Sequence, residues 1–398
     1  MVDNVTGPPV TAENLFGREH EMRSLWNRLD VGQHILLLAP RRVGKTSLMH
    51  ELRRQPKDEW AVFYSDVERC DKPADLVADM LALISTDRRT RTWFDAAAPY
   101  VPFRHQIARI LGRIKTFSII EQLKVELSDE ISSDWRSAAA QLHQRLASTP
   151  KGVKVLFIQD ELPIFLNTLF KSSSGREDVE AILGWLRSLR QDPKLTGRIQ
   201  FLAGGSISLS GVLRRHNLSA PINDFSLFSV APWDEETANK FLDALAARYD
   251  FALSTSNKQQ MLGLLKEYVP YHVQLIFQAV REVCREDASK VSEETIEAAF
   301  HERLAGPSGG PFLDHYSERL DHVFSPEDAA RARLILSAAS ASPSGVALSN
   351  LNASEANFSD ILQVLIDDGY LRLEGEQLSF CSNLVRTYWL RTRVSKNA

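Results

Sequence analysis

The apolar run Ile35-Leu36-Leu37-Leu38 and the turn Ala39-Pro40-Arg41-Arg42-Val43-Gly44-Lys45-Thr46 behind it constrain this chain more than any other stretch. Four consecutive apolar residues ending in a Gly/Pro/basic turn read as a strand buried on both faces. Ser47, Leu48 and Leu52 then continue at helical spacing. Strand, turn and helix in that order fit the phosphate loop GxxxxGK[ST], with Ala39 standing at the first glycine. Such a loop works because backbone N–H groups wrap a phosphate and the positive end of the helix faces it. Gly44 lets the backbone approach closely, Lys45 is placed to bridge neighbouring phosphates, and Thr46 offers its hydroxyl to Mg²⁺. The bland reading, a basic surface turn, explains none of these coincidences.

Three more apolar strands are expected, at Trp60–Asp66, Val153–Ile158 and Arg198–Ala203, separated by helical patterns such as Trp135–Leu146 and Val179–Leu189. Apolar strands alternating with helices imply an α/β fold, a parallel sheet covered by helices on both faces. The distance between the second and third strands is long. Residues of about 99–134 read as an insertion, a helix followed by a short hairpin through Phe117-Ser118-Ile119 and Lys124-Val125-Glu126-Leu127.

The third strand ends in Gln159-Asp160-Glu161, which supplies the acidic half of a nucleotide site. With Thr46, Asp160 would hold Mg²⁺, and Glu161 would polarise an attacking water. The competing reading is an acidic N-cap for the next helix. Asp66, ending the second strand, reads more simply as a cap. Ser206, after Gly204-Gly205, reads equally as a γ-phosphate sensor assisting catalysis or as a helix cap. Gly204-Gly205-Ser206-Ile207-Ser208 lacks the last glycine of a hydrolase elbow, which argues against a serine nucleophile.

Beyond Pro232 the pattern is helical. Residues 1–231 are therefore expected to form the ATPase core and residues 232–305 a helical lid. Gly306-Pro307-Ser308-Gly309-Gly310-Pro311 opens a linker over 306–325. Three helices and a hairpin over 326–398 follow the plan of a winged helix. That module holds seven basic against eight acidic side chains, and its second long helix, Phe358–Asp367, has no Lys or Arg. Duplex binding relies on several phosphate contacts from such side chains, so the balance favours protein contact over DNA.

The formal net charge of −4 exerts no general pull on nucleic acid, and the apolar runs are too short to span a membrane. Cys70, Cys284 and Cys381 stand far apart, without a zinc or redox spacing. With no signal-like segment at Met1–Thr11, a cytoplasmic protein is expected. The ten histidines show no ligand spacing, and His272 reads as a packed lid residue.

Leu15-Phe16-Gly17-Arg18-Glu19-His20-Glu21 stands ahead of the phosphate loop. Together with Gly44-Lys45-Thr46, Asp160-Glu161 and the Gly-Ser after the fourth strand, it resembles the STAND branch of AAA+-related ATPases. The similarity is closest to the archaeal-type ATPases. The resemblance implies that Phe16, Gly17 and Arg18 border the adenine of ATP, with Arg41, Arg42, Val43, Gly44, Lys45, Thr46 and Ser47 around the phosphates. In that family a lid Gly-x-Pro element touches the nucleotide. Here Tyr268-Val269-Pro270-Tyr271 lacks the glycine, leaving Pro270 as the contact. Oligomeric relatives use an arginine from a neighbouring subunit, so a homo-oligomer stays open, with Arg187, Arg190, Arg214 and Arg215 as candidates. The expectation is an ATP- and Mg²⁺-dependent switch acting on a separate protein partner, in signalling or defence. Two alternatives are a DNA-remodelling or loading ATPase similar to origin-recognition initiators, and an adaptor that binds ATP with negligible turnover.

Overall fold

The computed structural model describes residues 2–90, 118–148, 152–205, 209–218, 220–351 and 357–394. Helix α1 (Glu19–Asp30) leads into β1 (His34–Leu38), and α2 (Lys45–Arg54) leaves the phosphate loop towards β2 (Trp60–Asp66). Then come α3 (Pro73–Thr86), α4 (Ser118–Ile131), α5 (Trp135–Ser148) and β3 (Lys154–Asp160). Helices α6 (Leu162–Phe170) and α7 (Gly175–Gln191) precede β4 (Ile199–Gly204), and α8 (Leu209–Arg215) precedes β5 (Phe225–Ser229).

The five strands pair in parallel in the order β2-β3-β4-β1-β5. Side chains of β1 alternate between the two faces. Ile35 and Leu37 join one apolar cluster, with α2 and the lid, while Leu36 joins the other, with α3, α6 and α7. Burial on both faces is what the unbroken apolar runs require. Parallel pairing also brings the C-terminal ends of β1, β3 and β4 to one edge, where the phosphate loop and the acidic pair emerge. Strand β5 was not expected from the sequence. It is an edge strand in which only Phe228 is buried, so its pattern carries little signal.

Two expectations need correction. Residues 118–127 of the expected hairpin are instead part of helix α4. Leu123, Leu127 and Ile131 recur every four residues and are buried against α3, and Lys124 pairs with the buried Asp79 at 2.6 Å. The alternation Lys124-Val125-Glu126-Leu127 imitates a strand, but the helical repeat of the leucines wins. Residues 99–117 of the expected insertion lie outside the described residues.

Residues 306–325 differ from a linker as well. After α9 (Glu235–Arg248), α10 (Thr255–Leu265), α11 (Pro270–Val283) and α12 (Glu293–Ala298), the chain enters α13 (Gly310–Val323). Leu313, Tyr316, Leu320 and Val323 form its buried stripe. The glycines ahead of it serve packing. A Cβ on Gly306 would stand 2.7 Å from the Glu302 carbonyl oxygen, and one on Gly309 would fall on that of Leu304.

The C-terminal part contains α14 (Pro326–Ser340), β6 (Val346–Ala347), α15 (Phe358–Asp367), β7 (Leu371–Glu374), β8 (Gln377–Phe380) and α16 (Asn383–Trp389). The expected hairpin is β7–β8, with β6 added on the other side of β8. The short helix expected at 348–351 is a single 3-10 turn, Leu348–Asn350. Among the described residues no helix is long and apolar enough to cross a membrane.

Candidate nucleotide site

The loop after β1 takes a conformation that its sequence permits. Gly44, at φ 99°, caps α2 in the left-handed region. Arg42 also has a positive φ, 64°, which a non-glycine residue adopts only at a cost of about 1–3 kcal/mol. Lys45 begins the helix, and its Nζ donates to the Ala39 and Pro40 carbonyls at 2.7 and 3.2 Å. Burial pulls this ammonium down to about 8, against the pull of Glu161, Asp160 and Asp368.

Thr46 donates its hydroxyl to Asp160 Oδ2 at 2.8 Å, and Tyr64 donates to the same oxygen at 3.2 Å. Asp160 is buried, and burial together with neighbouring Glu161 raises its carboxyl to about 6. A hydroxyl and a carboxylate converging in this way form the donor pair that octahedral Mg²⁺ takes alongside water and phosphate oxygens.

Glu161 follows in the left-handed conformation, φ 59°, at the head of α6. It stands at the N-cap position of α6, but its side chain makes no capping hydrogen bond. Gly205 lets it stand there, since a Cβ at that position would meet Pro163 Cδ at 2.6 Å and Glu161 Oε2 at 3.2 Å. Asp66 is indeed a cap, accepting from the Glu68 N–H. Ser206 lies outside the described residues.

Phe16, Arg18, Arg41 to Ser47, Glu161 and Pro270 all line one cleft between the sheet edge and the helices after Pro232. Gly17 does not line it. At φ 63° it packs on Thr237 and Trp233 with no room for a side chain. Phe16 meets Trp233 edge-on and lies tilted against Phe241, giving the cleft an aromatic end. Arg18 is buried and donates to the carbonyls of Val43 and Ala231 at 3.1 and 2.9 Å, bracing the phosphate loop from behind. Ser47 accepts from the Val10 N–H at 3.0 Å, so its hydroxyl holds the N-terminal segment.

That segment was not legible as part of the site. Val5, Gly7, Pro8, Pro9 and Val10 line the cleft, Asn4 Nδ2 donates to the Gln274 carbonyl on α11, and the Ala12 N–H donates to Glu51 on α2. Such contacts run through backbone and small polar groups, which leave no pattern in a sequence. His272 is fully buried between Tyr316 and Ser382, with burial pulling it down to about 3, so it is a neutral packing residue as expected.

Arg190, Arg214 and Arg215 meet partners within the chain. Arg190 forks onto Asp224, both bonds at 2.9 Å; Arg214 faces Asp367 at 3.9 Å; Arg215 donates to the Val323 carbonyl. Arg187 lies on α7 but does not line the cleft. The arginine that reaches the acidic pair is Arg319 of α13, with Nη2 at 4.0 Å from Glu161 Oε2. The helical stripe of Leu313, Tyr316 and Leu320 is the signal that could have placed it there.

Whether a triphosphate suits these residues can be judged from their polar atoms. Buried nitrogens of Arg41, Arg42 and Arg319 make no hydrogen bond. A cluster of cations with unused donors fits a polyanion, and the Thr46–Asp160 pair fits its metal.

Sheet order, phosphate loop and acidic strand end together define an α/β P-loop NTPase fold. No family model matches the chain, and no curated protein matches it. Among solved structures, the chain is similar to the Walker-type ATPase of Pyrococcus abyssi, at 16% identity and a TM-score of 0.62, covering 97% of this chain and 99% of that one. Further matches are the Aeropyrum pernix ORC2 protein, solved as ADPNP–ADP complexes (14% identity, TM-score 0.49, 97% and 98% covered), and the Thermotoga maritima RuvB Holliday junction branch migration motor (14%, 0.44, 94% of each). At 16% identity the likeness to the Pyrococcus protein concerns the fold alone, across nearly the whole chain.

The depressed ammonium gives a pH dependence. A phosphate ligand needs Lys45 charged, and the free protein loses that charge as pH rises through about 8. Triphosphate affinity is expected to fall about fivefold between pH 8 and 9, with uptake of about one proton on binding at pH 9. Calorimetry in two buffers of different ionisation enthalpy measures both. Binding unchanged to pH 10 would contradict a role for this ammonium.

Proposed function

We propose that this chain is an ATP- and Mg²⁺-dependent switch of the STAND/AAA+ kind, with a cytoplasmic protein partner. In this reading residues 1–231 form the core, 232–305 a lid and 326–398 a winged-helix module. Lys45 holds the β- and γ-phosphates, while Thr46 and Asp160 hold Mg²⁺, which neutralises charge on the phosphate oxygens. Glu161 takes a proton from the attacking water, and hydrolysis resets the switch.

One observation carries this reading: the C-terminal module sits directly on the phosphate loop and the core. Gly369 packs on Pro40 so closely that a Cβ would stand 2.7 Å from that of the proline. Helix α15, which would be the recognition helix if the module read DNA, is packed against α8, and Phe358, Ile361, Leu362, Val364 and Leu365 are buried. A helix engaged in this way is available to a groove of DNA only after the module moves, and it brings no basic side chain when it does.

The test is ATP turnover by the purified protein, alone and with duplex DNA at two salt concentrations. Slow turnover indifferent to DNA is expected. Strong, salt-sensitive stimulation by DNA would instead support the DNA-remodelling alternative, and tight binding without turnover the adaptor.

A further inference from the structure

Strand β2 closes one edge of the sheet, and a cavity of about 540 Å³ lies along it, walled by α2, α3 and α4. Two polar side chains facing this cavity are each only 5% exposed: Ser65 of β2 and Asp79 of α3. Asp79 Oδ1 takes the Lys124 ammonium of α4 at 2.6 Å, but Oδ2 makes no hydrogen bond, and neither does the Ser65 hydroxyl. Ser65 lies near enough to favour the carboxylate, yet burial still pushes the Asp79 carboxyl up. An open carboxylate oxygen and an open hydroxyl, buried and facing the same cavity, call for a donor from outside.

The charge around the cavity narrows the kind of donor. Asp66, Asp71, Asp75, Asp79, Glu121 and Asp129 line it. Against these six acids stand four bases, Arg53, Arg69, Lys72 and Lys124, which leaves an excess of two negative charges. His50 does not offset it near neutrality, because burial and Arg53 hold the imidazole below its ordinary value. Lys72 is engaged by Asp129, and Lys124 is shared between Asp79 and Glu121. Leu83, Ile120, Val125 and Tyr64 complete the lining with apolar surface. Water could satisfy Asp79 Oδ2, but it would leave the charge excess in place. Among the described residues no group of three His, Cys, Asp or Glu side chains is placed to hold a metal ion. An organic dication with an apolar chain answers the open acceptor, the charge and the apolar lining together.

We propose that this cavity binds a linear alkyl polyamine, of which a diamine is the smallest, with one ammonium on Asp79 Oδ2 and the Ser65 oxygen. That contact is charge-assisted and buried, so it is the strong one. The second ammonium meets the exposed carboxylates of Asp66, Asp71 and Asp129, and the methylenes lie on the apolar lining. Tyr64, whose hydroxyl donates to Asp160, forms part of the wall, but neither Asp160 nor Glu161 lines the cavity. The site therefore borders the nucleotide cleft and does not depend on the reading given to that cleft.

The experiment is calorimetry on the nucleotide-free full chain at fixed ionic strength, with diaminobutane, butylamine and butanediol as probes. Diaminobutane is expected to bind saturably and at least about tenfold more tightly than butylamine, and butanediol not at all. Asp79→Asn should weaken diaminobutane about 10- to 100-fold, and Ser65→Ala about three- to tenfold. Ser65→Ala removes a hydroxyl that makes no hydrogen bond, so it should melt with wild type and decides the matter if Asp79→Asn does not fold. Glu161→Gln should bind diaminobutane within about twofold of wild type. Absence of saturable diaminobutane binding, or butylamine binding as tightly, would overturn the proposal. So would binding that neither Asp79→Asn nor Ser65→Ala weakens, which would mark a general attraction of the acidic surface for cations. Loss of binding in Glu161→Gln would place the diamine in the nucleotide cleft and overturn it as well.

Discussion

Replacing Glu161 with glutamine is expected to lower ATP turnover by about 10²–10⁴-fold, the usual worth of a positioned general base, while analogue affinity stays within about threefold. Glutamine keeps the length and planarity of the side chain but cannot take a proton from water. The site is built to hold a carboxylate here. The backbone accepts a left-handed φ of 59° at a non-glycine position, and Gly205 leaves space that any larger residue would fill. No capping bond competes for the side chain. A left-handed backbone at an acidic residue whose side chain makes no capping bond fits positioning for chemistry. Phosphate release under single-turnover conditions separates the chemical step from product release. Glutamine turnover within about threefold of wild type would show that another group handles the water and would revive the adaptor alternative.

The parts of the site that were readable in advance are those in which chemistry and local structure share one short segment. Asp160-Glu161 follows an apolar strand directly, and Gly44-Lys45-Thr46 sits between a strand and a helix, so each could be placed without knowing the rest of the chain. Arg319 could not be found this way. It reaches the site from a helix about 160 positions beyond its acidic neighbour, behind a Gly/Pro run that reads as a break. The same run misled for a physical reason: Gly306 and Gly309 are required by close packing, and composition does not separate packing glycines from flexible ones. Helix α4 shows the opposite error, where a local alternation of four residues outweighed a longer leucine repeat. Phe16, Arg18 and Ser47 were assigned to the nucleotide by their place in a motif. Two of them, Arg18 and Ser47, spend their polar atoms on protein, holding the phosphate loop and the N-terminal segment.

Lys45→Ala is expected to cost about 10²–10³-fold in triphosphate affinity, the loss of one buried charge-assisted donor shared by two phosphates. The free protein should respond quite differently. Lys45 is only 8% exposed, its nearest hydrogen-bond partners are two neutral carbonyls, and burial depresses its pKa to about 8. The cation is therefore poorly solvated while it waits for an anion. Removing it forfeits two hydrogen bonds and some attraction to Asp160 and Glu161, but it also removes the cost of burying the charge. These terms oppose one another, so the melting temperature without nucleotide should correspond to a change within about 1 kcal/mol. With Mg²⁺–ATP at a hundred times the wild-type dissociation constant, wild type gains about 2.7 kcal/mol and the variant gains almost none. A variant that melts far below wild type without nucleotide would mean that Lys45 is a structural residue of the loop. One that keeps the full nucleotide-induced rise would mean that the phosphates are held elsewhere. The joint result, an unchanged free protein that no longer responds to ATP, follows only if the loop stores an uncompensated charge for a phosphate to neutralise.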